Sequence, residues 1–207
     1  MVKVQAPALS LDASGSIGGA IVFSKWKGRA YARALVKPHN PKSAGQTGIR
    51  AMLSFLSQQW DGLSIPEKAT WKDLAEATNI STFNAYIAYN VRRWRENRGP
   101  TQGYPAAEAG TAVTIGQVGT GGARSAEIVN TPSAATIGWG MAIFRKPTAG
   151  ATKTYNMLIK IVPISGVSAI TWIDAPLAAG HWFYASCFVC DDGSLGALCS
   201  EDDCTVT

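Results

Sequence analysis

The stretch from Ser14 to Arg50 constrains the fold more than any other, because two runs of alternating side chains flank a tight glycine turn. Ile21, Val22 and Phe23 lead into Lys25-Trp26-Lys27-Gly28. The return run alternates Arg29, Tyr31, Arg33 and Leu35 with Ala30, Ala32, Ala34 and Val36. Period-two alternation on both sides of a Gly-containing turn predicts a β-hairpin. Pro38 and Pro41 stop it, since proline cannot donate to a ladder. The preceding segment, residues 1–13, has no helical period and reads as an extended arm that can either add a strand to a neighbour's sheet or fray.

Three helices are expected after the hairpin. Ile49, Met52, Leu53, Leu56 and Trp60 share one face of the first, and Asp61-Gly62 ends it. Ser64-Ile65-Pro66-Glu67 is a capping box with proline in the first turn, and it starts a second helix carrying Trp71, Leu74, Ala75 and Thr78 to Asn79. The third begins near Ser81, with Phe83, Tyr86, Ile87, Val91 and Trp94 at helical spacing, and Gly99-Pro100 closes it.

Residues 99–110 (GPTQGYPAAEAG) have no hydrophobic period and read as a linker. Beyond them the pattern is all-β, with apolar runs at 112–118, 137–144, 155–164, 169–173, 182–190 and 195–199 separated by turn clusters, Gly119 to Gly122 among them. Short strands at such spacing predict a β-sandwich. The expected fold class is therefore α+β. An arm (1–13), a hairpin and helical anchoring domain (14–98) and a linker (99–110) precede an Ig-like sandwich (111–207).

Charge divides along the same line. Residues 1–100 hold fourteen Lys and Arg against six acids, and residues 101–207 hold five against eight. An electrostatic footprint on nucleic acid or on an acidic protein lattice is one reading, and a solvated face with dipole-complementing helix ends is the other. The run Arg92-Arg93-Trp94-Arg95-Glu96-Asn97-Arg98 presents the same choice: phosphate contact and base stacking, helix C-terminal charge complementation, or pairing with acids on an adjacent subunit. Charged residues are only 16% of the chain, alongside seven tryptophans and 21 glycines, which fits a surface covered by neighbours.

Two resemblances follow from these residues. Gly15-Ser16-Ile17-Gly18, Trp26-Lys27-Gly28, Asn40-Pro41-Lys42-Ser43, Gln46 and Arg50, followed by Leu63-Ser64 and Trp71, resemble an N-terminal module of tailed-bacteriophage virion proteins over residues 14 to 95. Thr171 to Val189, with Leu177, Gly180, Phe183 and Tyr184, resembles the end of a fibronectin type III domain. Tyr184 then competes with Trp182 and Phe183 for the tyrosine-corner role, and Trp139 stands in for the missing early strand tryptophan. The first resemblance implies a structural virion component made in the host cytoplasm. Its partners would be the major capsid or other virion proteins and further copies of itself, through Trp26, Lys27, Arg29, Tyr31, Arg33, Arg92, Arg93 and Arg95. A capsid decoration or cement role is expected ahead of a tail or neck role. A nucleic-acid module using the third helix and a glycan-binding adhesin are the alternatives.

Catalysis has no positive support in the sequence. His39 and His181 adjoin no nucleophile motif, and Gly15 to Gly19 lack the Lys-Ser/Thr of a phosphate loop. No cofactor is expected. No apolar run reaches the roughly 18–20 residues that span a bilayer, and the chain opens with no secretory signal pattern. Cys187, Cys190, Cys199 and Cys204 admit three states: nested cross-strand disulfides Cys187–Cys204 and Cys190–Cys199, free thiols, or zinc. The three-residue offset of Cys187 and Cys190 points them to opposite faces of one strand, which disfavours zinc.

Overall fold

A computed structural model describes residues 2–3, 15–36, 40, 42–109, 114–133, 138–164 and 166–207. The chain is mixed α+β and forms two compact units, 1–41 and 42–207. Most of the arm (residues 1 and 4–13), together with Ser14, Pro38, His39 and Pro41, lies outside the described residues.

The first unit is a four-stranded antiparallel sheet in the order β1-β4-β3-β2, built from β1 (Val2–Lys3), β2 (Gly15–Ile17), β3 (Ile21–Trp26) and β4 (Arg29–Ala34). The expected hairpin is β3–β4. Its two-residue turn has φ 49° at Lys27 and 77° at Gly28, the left-handed pair that matches the twist of the flanking strands. Part of the arm has a different place from either one foreseen, because Val2–Lys3 pairs with Ala32 and Tyr31 of its own sheet.

The second unit stacks helices on a sandwich. α1 (Ala44–Trp60) ends at Asp61 as expected. The second expected helix is two, α2 (Ile65–Thr70) and α3 (Lys72–Thr78), divided at Trp71. The box at its start is present: Glu67 N–H donates to Ser64 Oγ at 3.4 Å, and Ser64 N–H to Glu67 Oε2 at 2.6 Å. Asn79 stops α3 in the left-handed conformation, φ 54°. α4 (Thr82–Arg95) is capped by Ser81, whose Oγ accepts from Asn84 N–H.

The sandwich strands are β5 (Ile115–Gly122), β6 (Ser125–Pro132), β7 (Gly138–Lys146), β8 (Leu158–Pro163), β9 (Ile170–Asp174), β10 (Gly180–Cys190) and β11 (Asp202–Val206). They form an antiparallel sheet β11-β10-β7-β8 and another β5-β6-β9, the Ig-like arrangement. Between the sheets lie Ile128, Ile143, Tyr184 and Val206 at one end and Ile115, Met141 and Phe188 at the other. The outer face of the four-stranded sheet is covered by helices. Phe144, Leu158, Ile161, Cys187 and Val189 pack there with Met52, Phe55, Leu56, Trp71 and Trp94 in one core, where each large apolar side chain contributes about 1.5–3 kcal/mol. α1 comes so close that a Cβ on Gly48 would sit 1.7 Å from the Tyr155 carbonyl oxygen.

This shared core corrects the expected domain plan. The helices belong with the sandwich, not with the hairpin, because their apolar faces are buried against β7, β8 and β10. The stretch read as a linker is packed: Thr101 is buried, its N–H and C=O bonded to the side-chain amide of Asn90 at 2.7 and 3.0 Å, and Gln102 C=O accepts from Trp71 Nε1. Trp139 does not stand in for the sandwich tryptophan. It packs edge-on against Phe55, ring centroids 5.0 Å apart, on the helix side of the sheet.

Candidate functional site

The β3–β4 register assigns the first unit's side chains to two faces. Residues directly opposite in an antiparallel pair share a face, and successive residues alternate. Val22 opposes Arg33, Ser24 opposes Tyr31 and Trp26 opposes Arg29. One face therefore gathers Trp26, Arg29, Tyr31 and Arg33. Ile21, Phe23 and Lys25 oppose Ala34, Ala32 and Ala30 on the other, which is apolar but for the lysine. Trp26 is 66% exposed and Ile21 45%, and none of the residues of this unit whose exposure is described (15, 16, 18–36 and 40) is buried. The Lys27 ammonium stands 4.8 Å from the Trp26 ring centroid.

Charge is just as unevenly placed. Residues 1–41 carry six Lys and Arg and one acid, and residues 42–207 carry thirteen of each. The whole net charge of +5 thus belongs to the small sheet unit.

The basic end of α4 is partly spent inside the second unit. Arg93 is buried: its Nε donates to Gly99 O and its Nη2 to Gly193 O, both at 2.9 Å, and its Nη1 pairs with Glu108 at 2.7 Å. The Glu108 carboxyl is held below its ordinary range, first by the hydrogen bond from Arg93 and then by the Arg93 charge. Arg93 is therefore not available to a partner, against the expectation. Arg92 pairs with Glu96 on the exposed helix surface, Arg98 reaches Glu108, and Arg95 is exposed. Trp26, Lys27, Arg29, Tyr31 and Arg33 come together in the first unit, while Arg92, Arg93 and Arg95 lie in the second.

All four cysteines are free. The expected Cys187–Cys204 pair fails on register, since Cys204 opposes Trp182 on β10, five residues before Cys187. Cys199 bonds across to Ser186 through its backbone N–H, whereas Cys190 N–H reaches Ser194 O, so that pair is out of register too. Cys187 packs toward the helices and Cys190 between the sheets, on opposite faces as the three-residue offset requires. Burial raises the Cys187 thiol to about 12 and the Cys204 thiol to about 11.

One group that the sequence left undecided is resolved by the fold. Tyr184 is the inward residue: fully buried, it donates its hydroxyl to Asp174 Oδ2 at 2.9 Å, and Arg145 donates to the same oxygen while lying over the Trp182 ring. Asp174 was invisible as a partner because it sits ten residues upstream at the end of another strand.

Among the described residues there is no evidence of catalysis. His181 pairs with Asp203 at 3.1 Å on the exposed surface of β10 and β11. Among the described residues, no three His, Cys, Asp or Glu side chains gather into a metal-binding group, and no helix is long and apolar enough to cross a membrane.

No protein-family model and no curated protein matches the chain. Among solved structures, the chain is similar to the sulfur carrier protein SoxY from Chlorobium limicola f thiosulfatophilum, at 10% identity and TM-score 0.28, over 47% of this chain and 81% of that one. The PmoD soluble domain from Methylocystis sp. ATCC 49242 (Rockwell) is similar at 11% identity and TM-score 0.29, over 46% and 89%. An AA10 lytic polysaccharide monooxygenase from Streptomyces lividans follows at 13% and 0.27, over 41% and 55%. Likenesses at these TM-scores decide nothing about what this chain binds or does.

Proposed function

We propose that the chain is a non-enzymatic structural component of a tailed-phage virion, made in the host cytoplasm, in which the N-terminal sheet is the attachment element. Within that class the reading is a capsid decoration or cement protein, with the Ig-like unit carried on the lattice. What supports attachment through the first unit is a single contrast. The second unit has a closed core and no net charge, whereas the sheet unit carries the whole +5 and none of its residues 18–36 is buried. A small sheet of short strands gains stability by packing against something else. The N-terminal motifs from Gly15 to Arg50 supply the virion class. The nucleic-acid alternative on α4 is weakened because Arg93, within its basic run, is buried in internal bonds.

Electron cryomicroscopy of particles carrying this chain tests the reading. Regular density on the shell is the expected result. Density confined to the tail or neck keeps the virion class and changes the place. Absence from particles overturns it.

A further inference from the structure

We infer that the Trp26–Arg29–Tyr31–Arg33 face of the N-terminal sheet docks on an acidic protein surface; this rests on the attachment reading above and names the partner's chemistry. The register makes the face: Trp26 is directly across from Arg29, Ser24 from Tyr31 and Val22 from Arg33, so two guanidinium groups and two aromatic rings share one side of a hairpin of two six-residue strands. Neither Arg29 nor Arg33 has an ion-pair partner among the described residues, whereas Arg92, Arg93, Arg98 and Arg145 of the second unit each have one. The unit that holds them has one acid against six cations, so its complement is a surface of carboxylates. Arginine forks bind carboxylates in a planar, two-point manner, and exposed tryptophan and tyrosine are the side chains that anchor protein interfaces.

A single-stranded nucleic acid would also meet cations and aromatics, but it needs open ring faces on which bases stack. Here the Lys27 ammonium lies over the Trp26 ring and Tyr31 is only half exposed, which favours the protein partner.

The test measures binding of the fluorescently labelled full chain to particles assembled without it, across a salt series, with an oligodeoxythymidine as a second probe. R29E/R33E is expected to weaken particle binding by about tenfold or more, R29Q/R33Q to weaken it less, and added salt to weaken the wild type more than R29Q/R33Q. The neutral pair covers the case in which charge reversal disturbs the hairpin. Particle binding by both variants equal to that of the wild type overturns the assigned face while leaving attachment standing. Binding to the oligonucleotide and to no particle, sensitive to the same substitutions, overturns both.

Discussion

Nη2 of Arg93 donates to the carbonyl oxygen of Gly193 across one hundred residues of sequence, tying α4 to the turn after β10. The same guanidinium holds Gly99 O and Glu108. Removing it strands two carbonyls at the junction of helix and sandwich and leaves Glu108 only its longer pairing with Arg98. Arg93→Ala is expected to lower the unfolding free energy by about 2–4 kcal/mol, and Arg93→Lys, which cannot span all three partners, by roughly half of that. Arg92→Ala and Arg95→Ala, on the exposed face, should stay within about 0.5 kcal/mol of wild type. Urea titrations followed by far-UV circular dichroism check the ranking, and equal losses at all three positions would contradict it.

The Arg93–Glu108 pair gives stability a pH dependence with a definite sign. The Glu108 carboxyl is depressed in the folded chain by Arg93, so the unfolded chain takes up its proton first as pH falls. The stabilisation is complete above the ordinary carboxylate range and is lost as pH drops through the lowered folded-state value. Glu108→Gln is expected to be less stable than wild type at neutral pH and to converge on it in acid. Urea midpoints measured from neutral pH downward test this, and a gap that is independent of pH would refute it.

Gly121 on β5 lies so near β11 that a Cβ there would stand 1.8 Å from the Thr205 carbonyl oxygen, and a Cβ on Gly119 would meet the Cys204 sulfur at 2.5 Å. The glycines are strand residues required by close approach. Gly121→Ala is expected to cost about 1–3 kcal/mol by forcing the two strands apart, whereas Gly166→Ala, with open space around it, should cost little. Thermal unfolding of the two variants distinguishes this from a general effect of replacing glycine.

Those glycines also explain where the sequence misleads. Gly119 to Gly122 look like a turn cluster, so β5 is cut short in the expectation and β6 is missed. β6 hides further because its inward positions Ala126, Ile128, Asn130 and Pro132 include a buried amide that no apolar pattern reveals. The last strand shows the same weakness: two adjacent carboxylates, Asp202 and Asp203, open it without an apolar signal, yet Asp202 accepts from Gln117, and Cys204 and Val206 alternate inward. The hairpin, the Ser64 capping box and the helix faces were legible because local chemistry decides them. The helix–sandwich core was not, since amphipathic helices declare an apolar face without naming what covers it. The two faces of the N-terminal sheet follow from alternation, but the use of Arg93 depends on a partner one hundred residues away.

The thiols offer a check on the strand register itself. A disulfide between Cys187 and Cys204 would require β11 to slide along β10, which would displace Cys204 and Val206 from the sandwich interior. Native protein is therefore expected to keep four free thiols and to show one mass with and without reductant. Cys199 is half-exposed while the other three are buried, so it should react first with a maleimide, and the rest only on unfolding. Burial holds the Cys187 thiol protonated up to about 12, so the folded chain keeps a proton that the unfolded chain releases near its ordinary value of about 8.5. Its contribution to stability is present below that ordinary value and is lost as pH rises toward 12. Cys187→Ala should flatten this alkaline loss while lowering stability at neutral pH, because a buried side chain is truncated against Phe144 and the helices. Peptide mapping of the alkylated protein and urea midpoints at rising pH measure the two effects. Recovery of a Cys187–Cys204 cross-linked peptide from native protein would show that the last two strands pair in a different register.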